Sequence, residues 1–185
     1  MKKGLVLLYI LLSLALTAGA EGFGVGVNYG LINNFKMFDA ASTEAGTMLQ
    51  VSYSYHFNDL YTAALEVGFI MDNNVLGSAA GTPYVETGSY LNIDHLFYLK
   101  RTEKIASYLS VGTGLMAVTG WWKTGAGLVN NATYVFADLN VGAGADIKIG
   151  NGICNLALNI PGLGHELYHR SNVAYILSLG YKQPF

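Results

Sequence analysis

His165-Glu166-Leu167-Tyr168-His169 has a spacing that, on a helix, sets two imidazoles on one face. Two such imidazoles bind zinc, and the intervening carboxylate can activate a metal-bound water. The surroundings oppose that chemistry. The segment follows Pro161-Gly162-Leu163-Gly164 and runs into a predicted strand, and no His, Asp or Glu follows His169 to supply a third ligand. His165 and His169 are therefore read as candidate weak metal ligands in an exposed loop, beside the plainer reading of a polar loop with two histidines. A second constellation is Glu66, Asp94 and Asp138, which fall on the polar side of predicted strands with Tyr90, Asn92, Tyr134, Asn140 and Gln50. A carboxylate taken out of water must be protonated, paired or densely hydrogen-bonded. The constellation is thus either a proton-sensitive or cation-binding plug or a hydrogen-bonded filling, and the filling is the simpler account.

Both groups depend on strands to hold them. In residues 22–31 the odd positions Phe23, Val25, Val27, Tyr29 and Leu31 are large and apolar, while Gly22, Gly24, Gly26, Asn28 and Gly30 are small or polar. A period of two belongs to a strand with two unlike faces. The parity recurs over 47–57, 61–71, 84–99, 105–119, 132–148, 153–160 and from about 172 to the end. His95 breaks the pattern by falling on an apolar face. Connections near 58–60, 100–104 and 149–152 are short, whereas those near 33–46, 72–83, 120–131 and 161–171 are long. Strict alternation of short and long connections predicts an up-and-down barrel with turns at one end and loops at the other.

Charged residues make up 12% of the chain, about half the usual soluble share. Mean hydropathy is +0.34, yet no run beyond the N-terminus is long and apolar enough for a transmembrane helix. Lys2 and Lys3, the apolar run Gly4 to Leu16, and Ala18-Gly19-Ala20 read as a signal peptide over 1–20, cleaved after Ala20. Without Lys2 and Lys3 there are 8 cations against 12 carboxylates, a net charge of −4, which does not favour nucleic acid. The single Cys154 has no intrachain disulfide partner.

A soluble barrel would place its apolar face inward and cover its outer face with Lys and Glu. Here the polar parity is mostly Gly, Ser, Thr, Asn and Ala, which suits a narrow interior. The apolar parity then faces hydrocarbon. Tyr29, Tyr53, Tyr55, Phe57, Trp121, Trp122 and Tyr181 lie near strand ends, as membrane-interface aromatics do. The expected fold is all-β: an eight-stranded antiparallel up-and-down transmembrane β-barrel over 21–185. Its lumen would be polar and filled by side chains, with Lys148 and Lys182 as inward cations near the turn end.

With the strand-and-loop rhythm, Tyr108-Leu-Ser-Val-Gly-Thr-Gly-Leu115 and the terminal Leu177-Ser-Leu-Gly-Tyr-Lys-Gln-Pro-Phe185, the chain resembles the small outer-membrane barrel superfamily, the OmpA, OmpX and OmpW-like proteins. The resemblance implies the outer membrane of a diderm bacterium and contact with outer-membrane lipid. It also implies that Phe185 is an assembly signal read by the outer-membrane assembly machinery. Pro184 departs from the pattern, because it lacks a ladder donor, so pairing is expected to end near Lys182. The implied role is structural or surface-interacting, with no enzyme activity and no cofactor, and with long loops that meet a surface ligand. Passive transport of small apolar molecules, as in OmpW-like members, is the alternative. A third reading comes from His169-Arg170-Ser171-Asn172, which is similar to the His-x-Ser-Asn of outer-membrane lipid A deacylases; there His would activate Ser for acyl transfer. In that family the motif precedes the last outer loop, and here it follows it.

Overall fold

The computed structural model describes residues 22–33, 46–72, 84–124, 127–161 and 175–184. Eight strands lie among them: β1 (Phe23–Asn33), β2 (Gly46–Asn58), β3 (Tyr61–Asp72), β4 (Tyr84–Arg101), β5 (Ile105–Thr124), β6 (Gly127–Ile149), β7 (Gly152–Ile160) and β8 (Tyr175–Pro184). Each pairs antiparallel with its sequence neighbours, and β1 pairs with β8 to close the barrel. Closure leaves no sheet edge, so every strand has a ladder on both sides. In hydrocarbon, where no water can satisfy an exposed N–H or C=O, that is a requirement for spanning.

The parity decides which way the strands face. Val27, Leu49, Leu91, Leu115, Leu156 and Leu177 are exposed on the outside, whereas Asn28, Gln50, Asn92, Asp138, Asn155 and Ser178 are buried inside. Val25 and Val51 are half-buried on the outer wall, and Leu65 and Leu139 are exposed. The apolar face therefore looks outward all round the barrel. Such a continuous belt far exceeds the largest apolar patches of water-soluble monomers, about 300–600 Å². It needs an apolar solvent. The fold class read from the alternation is the one observed.

Two details differ from the sequence reading. The segment 120–131 is not a long loop. β5 and β6 continue as a hairpin in which Trp122 pairs with Val129 and Thr124 with Gly127. The register shifts at Gly120/Trp121, where Gly120 faces Ala132 and Trp121 faces Asn130, so Asn131 is an extra backbone residue. A bulge of this kind flips the parity. The period-two pattern read from either side therefore stops at the bulge, which imitates the end of a strand. Gly127 has φ +123°, a value that glycine adopts without strain, as the hairpin turns.

Pairing also runs past Lys182. Gly24 is opposite Pro184 and Val25 opposite Gln183. Toward β7 the ladder does end at Lys182, which faces Ile153. Pro184 thus has a strand on one side only, and at such a position the missing N–H is tolerated.

Candidate functional site

The lumen is filled in three layers, each set by the register of several strands. At the loop end, Ile32, Met48, Ile70, Met116, Val118, Phe136 and Ile176 pack together with Tyr90. The Tyr90 hydroxyl donates to Met48 Sδ at 3.1 Å. This corrects the expectation of a lumen that is polar throughout. Near the loops the inward positions turn apolar and form a greasy plug. Glu86 is fully buried at this end and was not among the residues singled out from sequence.

The middle layer spans three strands. Asn92 and Asp94 on β4, Gly112 and Gly114 on β5, and Asp138 and Asn140 on β6 all face inward. Asn92 is opposite Gly114, which is opposite Asp138; Asp94 is opposite Gly112, which is opposite Asn140. The glycines leave room for side chains to reach over β5. Asn92 Nδ2 donates to Asp138 Oδ2 at 2.5 Å, and Asn140 Nδ2 donates to Asp94 Oδ1 at 2.9 Å. The two bonds are reciprocal and make a clasp between β4 and β6. A Cβ at Gly112 would strike Asp94 Oδ1 and the Asn140 amide; one at Gly114 would strike Asn92 Oδ1 and the Leu91 carbonyl. Glu66 joins this layer through side-chain hydrogen bonds with Asp94 and Gln50.

The turn-end layer centres on Asp146. Its carboxylate accepts from Tyr98 OH at 2.8 Å, Asn155 Nδ2 at 2.7 Å and Lys182 Nζ at 3.1 Å. Asn155 Nδ2 also donates to Tyr108 OH at 2.8 Å. The Lys182 ammonium lies 5.5 Å from the centre of the Tyr108 ring. A buried carboxylate with three donors and a buried ammonium is a satisfied ion pair. Thr62 and His56 close the layer through a hydroxyl–Nδ1 hydrogen bond.

The structure thus brings together Glu66, Asp94, Asp138 and Asn140, with Tyr90 roofing them. Lys148 does not join: it is exposed. Tyr134 is exposed and stands opposite Val118 of the plug, two positions toward the loops from Phe136, not in the middle layer with Asp138 and Asn140. The Asp146 group was missed as a centre. Asp146, Tyr98 and Lys182 show inward parity in the sequence, but nothing local says that β6, β7 and β8 align them. His165, His169, Ser171 and Phe185 lie outside the described residues.

On the outer wall, rings run from strand to strand at the turn end. Centroids are 4.6 Å apart for Phe23–Tyr55, 4.6 Å for Tyr55–Phe57, 5.1 Å for Phe57–Tyr61 and 5.5 Å for Tyr61–Phe97. Tyr53 stacks on Phe23 at 5.4 Å. His95 stacks on Tyr61 at 5.9 Å, and its Nδ1 meets the Tyr61 hydroxyl at 2.7 Å. That accounts for a histidine on an apolar face: it sits among rings and has a polar partner. Tyr29 and Tyr181 are exposed on the wall; Trp122 is exposed too, but beyond the plug at an inward position of β5, opposite Tyr84. Trp121 is half-buried, and its Nε1 donates to Thr87 at 3.0 Å.

Two voids of about 20 Å³ lie in the lumen, one beside the clasp and one below it. Each has room for about one water. The clasp and its neighbours can hold a water, a proton or a small ion, and they block anything larger.

Solved structures share this architecture. Neisserial surface protein A (NspA) is 16% identical, with 90% of this chain and 99% of that chain covered and a TM-score of 0.64. Ail, the attachment invasion locus protein of Yersinia pestis, is 15% identical over 88% and 99%, with a TM-score of 0.52. The N-terminal β-barrel domain of Pseudomonas aeruginosa OprF is 13% identical over 89% and 98%, with a TM-score of 0.51. The chain has the fold of the small eight-stranded outer-membrane barrels. No family model matches it, and no curated protein does either.

Proposed function

We propose that the protein is a non-enzymatic outer-membrane β-barrel that serves as a rigid membrane-embedded support for surface loops. The carrying observation is the combination of a lipid-facing apolar wall with a lumen plugged in three layers. A wall of this kind belongs in a bilayer, and an eight-stranded barrel filled by side chains is not a diffusion pore. NspA is named a surface protein and Ail an attachment invasion protein, which supports contact with a ligand outside the cell through the segments 34–45, 73–83 and 162–174. Signal-peptide cleavage after Ala20 and reading of Phe185 by the assembly machinery belong to the same proposal.

The test is reconstitution. Protein refolded into planar bilayers is expected to give no large, stable conductance, and liposomes carrying it should take up small apolar solutes no faster than empty ones. Stable channels would overturn the plugged-lumen reading, and rapid uptake would favour passive transport. The packed layer around Met48, Ile70 and Met116 speaks against that alternative. An altered lipid A profile in cells expressing the protein, restored by Ser171→Ala, would favour the deacylase reading.

A further inference from the structure

Asn92 and Asn140 each spend their Nδ2 on a carboxylate. That fixes the amide orientation, since turning either one would set its oxygen against a carboxylate oxygen. Each Oδ1 is then left with no donor from the protein, although the residues are 3% and 4% exposed. An orphaned buried acceptor has lost its water without gaining a donor, which is destabilising. Among the described residues Asn28 Oδ1 is orphaned too, beside the other void, but Asn92 and Asn140 share one void, and that pairing invites an explanation. Asn92, Asn140, Asp94, Asp138 and Glu66 all line the same 20 Å³ void. The ammonium of Lys182 is engaged with Asp146 one layer below. Carboxylates do not gather in threes with metal-holding geometry among the described residues, so any ion held here would need the amide oxygens.

We propose that this void is a binding site for one dehydrated hard cation, calcium by preference, held by Asn92 Oδ1, Asn140 Oδ1 and the carboxylates of Asp94 and Asp138. The donors are all oxygen, which suits calcium and not the softer metals that take His or Cys. Calcium takes six to eight oxygens in a flexible shell, a number reached when both carboxylates bind through two oxygens beside the two amide oxygens, whereas magnesium demands a near-ideal octahedron at shorter distances. Two carboxylates balance a charge of two. The ion would satisfy both orphaned amide oxygens and lock the clasp, tying β4 to β6 over the glycines of β5.

The test uses the full chain refolded in detergent micelles, with terbium as a calcium substitute. Tyr90 lines the same void, so tyrosine excitation should sensitise terbium emission. The expected result is saturable emission displaced by calcium and much less readily by magnesium, with severalfold weaker emission in Tyr90→Phe. Asp94→Asn and Asp138→Asn should each weaken terbium binding about tenfold or more, and Glu103→Gln at an exposed turn should not change it. Absent emission, emission unchanged in both Asp variants, or equal displacement by magnesium would overturn the proposal. If the Asp variants fail to refold, the unaltered protein decides. Its urea unfolding midpoint should be higher in about 10 mM calcium than in the same concentration of magnesium. Equal midpoints would mean that a water, not an ion, occupies the void.

Discussion

Gly112 shows what a single missing side chain does in this lumen. Its neighbours Asp94 and Asn140 occupy the space that a Cβ would need. Gly112→Ala is therefore expected to destabilise the barrel by about 1–3 kcal/mol, the usual cost of overpacking. Urea unfolding of protein in micelles, followed by the heat-sensitive shift in gel migration, measures this. Gly24→Ala, where the Cβ would meet Ser54 Oγ at 3.1 Å, should cost clearly less. If the two variants are equally stable, the packing argument for the inward glycines is wrong. At this scale the sequence was partly legible. Small and polar residues at alternate positions marked the inward face, because strand geometry forces that alternation. Which small residue lies under which amide was not legible. The Asn92–Asp138 and Asn140–Asp94 bonds join residues 46 apart on strands that are not neighbours, and only the register of β5 between them makes the reach possible.

Strands carry the next layer of the account. Lys182 ties the closing strand β8 to Asp146 on β6, passing over Asn155 on β7. Both ends of that pair are largely buried. Removing the cation alone leaves a buried carboxylate, a change that costs about 3–5 kcal/mol when a buried pair is broken. Lys182→Met should therefore lower stability by an amount of that order, and adding Asp146→Asn should recover much of it. Unfolding curves of the single and double variants check this; strict additivity would show that the two groups do not interact. The strands themselves were legible wherever the parity ran unbroken, as in β1, β2 and β3. The hairpin extension of β5 and β6 was not, since the extra residue at Asn131 reverses the faces and Gly125, Gly127 and Asn130 read as loop. The apolar plug was hidden for a related reason: Ile32, Met48 and Ile70 are apolar residues at inward positions near strand ends, where the alternation gives no warning that the lumen changes character.

For the whole molecule, the outer wall is defined by the solvent it needs. Val27, Val51, Val67 and Leu91 form a continuous band across β1 to β4 by register. A charge in that band meets hydrocarbon. Val51→Arg should cost about 2–4 kcal/mol in a bilayer if the band lies near the midplane, read as a lower urea midpoint of protein folded into liposomes. Lys148→Ala, at an exposed position near a turn, should have little effect.

The same orientation can be read directly from the wall. Nitroxide labels placed singly at Val51, Leu65, Leu139 and Leu177, in a Cys154→Ser background reconstituted in liposomes, report which solvent surrounds each site. Oxygen, which partitions into lipid, should relax all four strongly, while a water-soluble nickel complex should leave them nearly untouched. Protection from both reagents would place these side chains in a closed apolar core and contradict the lipid-facing wall.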